Sequence, residues 1–260
     1  MPNNQWFIAC TKFTSPTARE LAHKLGVGFG RRPKKSRVNI IRWGFVGDLE
    51  GIQVRNRRFF PDARAIQNCS NKLSTFRILR DAHISIPKFY TTQAELRDAK
   101  YPLYSRKEYH TMGKDIIMVH NLEEAIQQLR NGRYLVESIS YKKEYRIHVI
   151  NGKIVSMSKK YFRPQLWEEL GKPKMKDLIR NNENGWGYYD FKDDENCPED
   201  AKKEAIKAVA ALGLLWGAVD IIRDKRDKNY ILEVNSAPGL RDKRVDVYAN
   251  EFKKIMVKAA

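Results

Sequence analysis

The sequence has few cysteines and no long apolar run. Its 260 residues contain three cysteines, Cys10, Cys69 and Cys197, which are far apart and in no metal-ligand spacing. This odd, scattered set argues against a disulfide framework and against a structural zinc site. The chain has no apolar stretch of about 18 residues, and its first residues, MPNNQWFIACTKF, lack the basic and apolar regions of a signal peptide. We therefore predict a soluble protein of the cytoplasm.

Acidic residues are in deficit. The chain has 31 Asp and Glu against 49 Lys and Arg, a formal net charge of +18. The densest basic cluster is GRRPKKSR at 30–37, followed by Arg55, Arg57 and Arg58. A basic field of this kind attracts polyanions, either nucleic acid or acidic peptide. No zinc-finger, helix-turn-helix or RNA-binding sheet motif is present, which argues against sequence-specific reading of nucleic acid. A solvated basic surface without a dedicated ligand is the alternative.

The sequence also lacks a constellation for nucleophilic catalysis. No Ser-His-Asp or Cys-His arrangement can be found, and the five histidines are scattered.

Helical and strand patterns alternate along the chain, which predicts an α+β protein. The segment NKLSTFRILRDAHISIPKFY has apolar residues at near-helical spacing and predicts a helix from about residue 71, ending in extended chain at Ile86-Pro87. Further helices are predicted at Thr17–Leu25, at 121–130 with Asn121 as N-cap, and at 199–212. Short strands are predicted at Val38–Trp43 and Gly51–Val54.

A first hairpin is predicted around Asn151-Gly152, because this dipeptide separates two alternating runs. Centring the turn there sets Arg146 opposite Met157 and Glu144 opposite Lys159. Strand alternation then gives the hairpin an ionic face and an apolar face. The ionic face carries Glu144, Arg146, His148 and Lys159, and the apolar face carries Tyr145, Ile147 and Val149. An exposed sheet face with ordinary cross-strand ion pairs is the alternative reading.

A second hairpin is predicted in WGAVDIIRDKRDKNYILEVNSAPGL, where DKRDKN forms the turn. Its register sets Asp220 opposite Glu233, and Asn235 points to the same side. The other face takes four apolar residues into the core: Val219, Ile221, Leu232 and Val234. Opposed carboxylates repel unless a cation lies between them, and two carboxylates with an amide oxygen suit Mg²⁺ or Mn²⁺. An Asp and a Glu with a purely structural role remain the alternative.

Taken in order, these segments resemble the ATP-grasp superfamily. The resemblance rests on NKLSTFRILRDAHISIPKFY, the hairpin EYRIHVINGKIV, the segment IRNNENGW and the ending GAVDII…YILEVNSAPGL. It covers about 69–240 and is strongest for short phage-type proteins classed as carboxylate-amine ligases, more distant for glutamate ligases that extend ribosomal protein tails. It implies two α+β subdomains that clasp ATP, at 69–133 and 134–260, preceded by a small domain at 1–68. For a phage protein, the compartment would be the host cytoplasm.

The resemblance implies roles for individual residues. Lys72 and Arg106 would hold phosphates, and the loop Lys107 to Lys114 would cover them. Within that loop, His110, Gly113 and Lys114 are the residues expected to close over the nucleotide. Leu135 to Ile139 would line the adenine pocket, with Glu137 and Ile139 as nucleotide contacts. Lys159, on the ionic face of the first hairpin, is also expected to contact the nucleotide.

The catalytic and metal-binding roles follow from the same resemblance. Arg146 and Asn184 would bind the acyl-phosphate region, while Asp220, Glu233 and Asn235 would hold magnesium. The implied activity is an ATP-dependent carboxylate-amine ligase that forms an acyl phosphate and then a C–N bond. We expect the basic segment, Arg31 to Arg37 with Arg55, Arg57 and Arg58, to bind an acidic acceptor. Two alternatives are an enzyme acting on nucleic acid or a nucleic-acid-bound protein, and an inactive basic binding module.

Overall fold

A computed structural model describes residues 5–11, 14–34, 39–47, 58–109, 115–169, 180, 184–191 and 197–258. The strands are β1 (Trp6–Cys10), β2 (Gly28–Gly30), β3 (Asn39–Trp43), β4 (Arg58–Phe60), β5 (Phe89–Tyr90), β6 (Leu103–Arg106), β7 (Ile117–Val119), β8 (Tyr134–Glu137), β9 (Tyr141–Ile150), β10 (Lys153–Phe162), β11 (Trp186–Asp190), β12 (Trp216–Asp224) and β13 (Asn229–Asn235). The helices are α1 (Pro16–Leu25), α2 (Ala63–Ser70), α3 (Lys72–Asp81), α4 (Leu122–Arg130), α5 (Pro164–Glu169), α6 (Glu199–Ala211) and α7 (Lys243–Lys258). This mixture confirms the predicted α+β class.

The first sheet is parallel, in the order β2-β1-β3-β4. Its central strand β1 reads WFIAC and is buried throughout, as expected for a strand covered on both faces. Helix α1 connects β1 to β2, and it begins where Ser15 Oγ accepts a hydrogen bond from Ala18 N. The predicted strand at Val38–Trp43 is confirmed over Asn39–Trp43, while Val38 and Gly51–Val54 lie outside the described residues.

The second sheet is antiparallel, in the order β5-β8-β6-β7. Because β8 belongs to it, this sheet extends to Glu137, beyond the predicted boundary at residue 133. The predicted cap at Asn121 is confirmed, since its Oδ1 accepts from Glu124 N at the start of α4. Asn71 Oδ1 likewise accepts from Ser74 N at the start of α3, where a helix from about residue 71 is predicted. Local sequence therefore determined where these two helices begin.

The third sheet is also antiparallel, in the order β11-β10-β9-β12-β13, and α6 packs on one of its faces. Asp220 pairs with Glu233 across β12 and β13, which confirms the predicted register of that hairpin. An irregularity follows Asp220, so that Ile221 pairs with Ile231. Ile231 therefore enters the core, and the prediction that Leu232 does so is wrong.

The predicted register of the β9–β10 hairpin is wrong beyond its first pairs. The pairing shifts between Ile154 and Ser156, with Val155 as the extra residue. Because one inserted residue turns every later side chain to the other face, Ser158 lies opposite Arg146 and Lys159 lies opposite Tyr145. Lys160, and not Lys159, is consequently the lysine on the ionic face.

Aromatic packing joins the parallel sheet to the third sheet. The Trp43 ring stacks on Trp216 with centroids 6.4 Å apart, and it meets Tyr248 and Phe252 of α7 edge-on. These rings lie in one buried cluster together with β1 and α1. Strands β1 and β3 are thereby fixed against β12, the strand that carries Asp220. Among the described residues, each helix is too short or too polar to cross a membrane.

Candidate functional site

Two buried cations lie where α3 meets the end of β6. Lys72 is the first residue of α3 and is 7% exposed, while Arg106 ends β6 and is 8% exposed. The Lys72 amide donates to the Glu108 carbonyl at 2.8 Å, which holds the helix start against the segment after β6. The Arg106 guanidinium lies 5.7 Å from the ring centre of Phe76, one helical turn after Lys72. Buried cations require nearby anions, since desolvating an unpaired charge is costly.

Glu233 supplies an anion for Lys72. The Lys72 Nζ atom is 2.7 Å from Glu233 Oε1, and the glutamate side chain is 24% exposed. Burial raises the pKa of the Glu233 carboxyl, but the charge and hydrogen bond of Lys72 outweigh it. With smaller contributions from Arg106 and Arg146, the pKa of this carboxyl falls to about 2. Glu233 is therefore ionised at physiological pH.

Arg146 and Asp220 form a second buried ion pair beside the first. Arg146 Nε and Nη2 donate to the two Asp220 oxygens at 2.6 and 2.7 Å, a two-pronged geometry that fixes both side chains. Burial lowers the pKa of the Arg146 guanidinium, yet the Asp220 carboxylate raises it above its usual value. Because Asp220 pairs with Glu233 on one side and with Arg146 on the other, the three residues form one row across the sheet.

The donors in this row fit a magnesium or manganese ion that also binds phosphate. Asn235 follows Glu233 by two residues in β13 and so shares its face. Within the described part of the chain, no group of three or more His, Cys, Asp or Glu residues is placed to hold a metal. Two carboxylates and one amide oxygen are therefore a partial set, which Mg²⁺ commonly completes with water and phosphate oxygens. Lys72 and Arg146 neutralise the two carboxylates in this structure.

Of the remaining predicted nucleotide residues, the structure describes Glu137, Ile139 and Lys159. Glu137 ends β8 half-buried, and its amide donates to the Lys88 carbonyl at 2.8 Å. Ile139 lies half-buried between β8 and β9. Lys159 faces the apolar side of the sheet with Tyr145, so the structure does not bring it to the row. The loop residues His110, Gly113 and Lys114 lie outside the described residues.

Asn184 lies just ahead of β11. It is half-buried and precedes Trp186, the first residue of that strand, by two positions. Strands β11 and β13 are the two edge strands of the third sheet, so Asn184 and Glu233 lie at opposite edges of it. Its assignment to the acyl-phosphate region remains a prediction.

The sequence predicted Glu144 on the ionic face, but it did not reveal the two tyrosines and the lysine that cluster around this side chain. This carboxylate is 4% exposed and accepts from Lys160 Nζ at 2.5 Å, Tyr141 Oη at 2.9 Å and Tyr188 Oη at 3.2 Å. The alternation of Glu144 and Arg146 in β9 was the available signal. The partners could not be named, because the bulge at Val155 decides which lysine reaches Glu144.

Next to Arg146 on this face, His148 connects β9 to α7. It is fully buried, its Nδ1 lies 2.9 Å from Tyr248 Oη, and its Nε2 lies 3.4 Å from an Arg244 nitrogen. Burial, followed by the charges of Arg244 and Arg146, lowers the pKa of His148 well below its usual value. The imidazole is therefore neutral. The charge of Arg244 is balanced by Asp190, whose Oδ1 lies 2.9 Å from Arg244 Nη2.

The loop after Asn235 is held by three distant parts of the chain. Trp216 Nε1 donates to the Ser236 carbonyl at 3.0 Å, and Leu240 N donates to Thr17 Oγ1 at 3.2 Å. Gly44, with φ +63°, lies so close that an added Cβ would come within 2.8 Å of Ala237 Cβ. The carboxyl end of β3 thus borders the loop that follows the predicted metal ligands.

Part of the basic N-terminal segment lies at the same edge of the parallel sheet. Arg31 follows β2 and its Nε donates to the Thr11 carbonyl after β1 at 2.8 Å. Arg31, Arg32 and Lys34 are exposed. Arg58, in contrast, begins β4 at the opposite edge of this sheet, where it donates to Asn39 Oδ1 at 2.9 Å. Lys35, Arg37, Arg55 and Arg57 lie outside the described residues.

Comparison with known proteins agrees with this geometry. The model of the family described as ATP-grasp domain matches residues 69–239. No curated protein sequence matches the chain. D-alanine–D-alanine ligase from Bacillus anthracis is 13% identical, with a TM-score of 0.68 over 98% of this chain and 99% of that one, and it has also been solved in complex with ATP.

Two further solved structures share the architecture. ATP-grasp ligase PsnB, complexed with a minimal precursor, is 10% identical, with a TM-score of 0.65 over 99% of this chain and 100% of that one. L-amino acid ligase from Bacillus licheniformis is 19% identical, with a TM-score of 0.61 over 90% of this chain and 67% of that one. At such identities the likeness shows a common fold and leaves substrates undetermined.

Proposed function

Because the chain belongs to the ATP-grasp family, we propose that it is an ATP-dependent carboxylate-amine ligase. It would join a carboxylate to an amine through an acyl phosphate and release ADP and phosphate. The observation that carries this proposal is that Lys72 of α3 and Arg146 of β9 pair with two neighbouring carboxylates, Glu233 and Asp220, while the charge of Arg106 also acts on Glu233. Three cations thus lie near these two carboxylates, which are in the register predicted for metal ligands.

In the proposed reaction, an oxygen of the substrate carboxylate attacks the γ-phosphorus of ATP and ADP leaves. Lys72 and Arg106 hold the nucleotide phosphates, and Arg146 with Asn184 stabilises the acyl phosphate. The amine then attacks the acyl carbon, the C–O bond to phosphate breaks, and the nitrogen loses a proton. Catalysis by positioning and charge agrees with the lack of a nucleophilic triad.

The remaining assignments complete this nucleotide site. Asp220, Glu233 and Asn235 would hold Mg²⁺ or Mn²⁺, which supplies charge neutralisation to the phosphates when it is bound. Glu137 and Ile139 would contact the ribose and adenine. The three loop residues His110, Gly113 and Lys114 would cover the phosphates.

We propose an acidic peptide or other acidic macromolecule as the acceptor. Arg31 lies at the carboxyl edge of the parallel sheet, where Gly44 borders the loop after Asn235. Ligands of α/β sheets commonly bind beyond the carboxyl ends of the strands. A basic segment at this edge would select an acidic partner while the nucleotide pocket stays free for ATP.

A screen for ADP release with amino acids, acidic peptides and nucleic acids tests this function. Release that depends on both a carboxylate and an amine, with a new amide in the product, supports the ligase. Release that needs nucleic acid would favour an enzyme acting on nucleic acid or on a bound protein. Binding of polyanions without any ATP turnover would favour an inactive binding module.

A further inference from the structure

Tyr188 contacts Arg146 on the side that Asp220 leaves open. The guanidinium carbon of Arg146 lies 4.3 Å from the centre of the Tyr188 ring. Asp220 approaches the same guanidinium through hydrogen bonds from Nε and Nη2. The group is therefore fixed in two independent ways, by hydrogen bonds to an anion and by a cation–π contact with an aromatic ring.

The Tyr188 ring is itself anchored. Its hydroxyl donates to Glu144 Oε1 at 3.2 Å, and Glu144 is held in turn by Lys160 and Tyr141. Lys160 is the cross-strand partner of Tyr188, and its Nζ lies 5.3 Å from the same ring centre. Tyr188 thus lies between two cations, with its polar end tied to a buried carboxylate.

The two contacts of Arg146 differ in whether they occupy the N–H donors that a ligand would need. An arginine has five N–H donors, all in the plane of the guanidinium. The Asp220 carboxylate occupies some of these donors, whereas the Tyr188 ring contact coexists with the hydrogen bonds from Nε and Nη2. When a phosphate takes donors now bound to Asp220, the ring contact can persist and keep the guanidinium in place.

We propose that Tyr188 is a positioning residue of the ligase reaction, which holds the Arg146 guanidinium in place while its donors turn from Asp220 to the acyl phosphate. The inference rests on the proposed function. It gives the Glu144 cluster a role: Lys160 and Tyr141 fix Glu144, Glu144 fixes the Tyr188 hydroxyl, and the ring fixes Arg146.

The first experiment compares Tyr188→Leu, Tyr188→Phe and the control Tyr189→Leu. Tyr189 is the next residue of β11, is 44% exposed and lies on the opposite face, against Tyr161. In an ADP-release assay with an active substrate pair, we expect Tyr188→Leu to lower kcat by roughly 3- to 30-fold, the range of a partly desolvated cation–π contact. The KM for ATP should change by less than about twofold, since Lys72 and Arg106 stay in place. Tyr188→Phe keeps the ring and should retain most of kcat, and Tyr189→Leu should match the wild type.

A double-mutant cycle separates positioning from mere packing. If Tyr188 acts through Arg146, its replacement by leucine should have little effect on the kcat that remains in an Arg146→Lys background. A kcat for Tyr188→Leu within twofold of the wild type, or a full additive loss in the Arg146→Lys background, would overturn the inference and leave the ligase function standing.

A spectroscopic measurement decides the same question without turnover. The Arg146 guanidinium carbon lies 4.3 Å from the centre of the Tyr188 ring, so the NMR resonance of the Nε–H proton, which is hydrogen-bonded to Asp220, should show a ring-current shift. We expect this shift to persist in Tyr188→Phe and with a non-hydrolysable ATP analogue bound, and to vanish in Tyr188→Leu. Loss of the shift on binding the analogue would refute the positioning role. A wild-type protein that releases no ADP with any substrate would instead contradict the proposed function.

Discussion

Replacing Lys72 by methionine should change the affinities for free metal and for ATP in opposite directions. Methionine keeps much of the length of the side chain but removes the charge that now lies 2.7 Å from Glu233 Oε1. ATP loses a cation for its phosphates and should bind more weakly. A free Mn²⁺ ion no longer competes with the ammonium for Glu233 and should bind more tightly.

The structure indicates the size of the effect. The pKa of Glu233 lies at about 2 against a usual 4.5. This difference of roughly 2.5 pH units, at 1.36 kcal/mol for each, corresponds to about 3 kcal/mol of favourable interaction with the surrounding cations. Since Arg106 and Arg146 supply part of it, we expect a loss of about 2 kcal/mol in the free energy of unfolding at neutral pH. Mn²⁺ affinity should rise by about tenfold or more.

The pH dependence follows from the sign of this pKa change. A carboxyl whose pKa is lowered by folding contributes stability that is fully present above its unfolded pKa. That contribution is lost as the pH falls through the folded value, here between about 4.5 and 2. Lys72→Met should reduce the acid-dependent loss of stability in this range, which chemical denaturation at several pH values would measure.

Electron paramagnetic resonance of Mn²⁺, titrated without nucleotide, measures the metal affinity, and calorimetry measures ATP binding. Lys160→Met is the matched control, because Lys160 also pairs with a buried carboxylate on this face, at 2.5 Å from Glu144. Glu144 is no predicted metal ligand, so the control should leave the affinity for Mn²⁺ unchanged. An unchanged Mn²⁺ affinity in Lys72→Met would refute the view that Lys72 and the metal share Glu233.

Three other substitutions test the site and its borders. Glu233→Gln should keep the fold but lower turnover by about 100-fold or more, because a neutral amide holds Mg²⁺ poorly; near-full ADP release would show that the metal assignment is wrong. Gly44→Ala should destabilise the protein by about 1–3 kcal/mol, because residue 44 has φ +63° and a methyl group there would meet Ala237. Adding Ala237→Gly should restore part of that loss in thermal unfolding, and no restoration would argue against the contact. Neutralising four basic residues should raise the KM for an acidic acceptor, leave the KM for ATP unchanged and flatten the salt dependence of acceptor binding; an acceptor KM and salt slope equal to those of the wild type would favour a merely solvated surface. These four residues are Arg31, Arg32, Lys34 and Lys35.

The sequence by itself determined features that depend on neighbouring residues. The caps at Asn71 and Asn121 follow from a side-chain oxygen that reaches an amide three residues on. The hairpin of β12 and β13 follows from one turn and the two-residue period of a strand, although Asp220 meets Glu233 only because the register shifts by one residue between Ile221 and Asp220. The resemblance to the family likewise rested on short segments in a fixed order, and the family match and the solved structures confirm it.

Other features were decided only by tertiary structure. The single extra residue at Val155 leaves no clear mark in the sequence, yet it exchanges Lys159 for Lys160 on the ionic face. Lys72 and Glu233 are far apart along the chain and meet only because α3 packs against β13. Tyr188 reaches Arg146 because β11 takes the edge position next to β10, which is a matter of sheet order. Such contacts depend on how distant segments pack together, and no local pattern of residues encodes that packing.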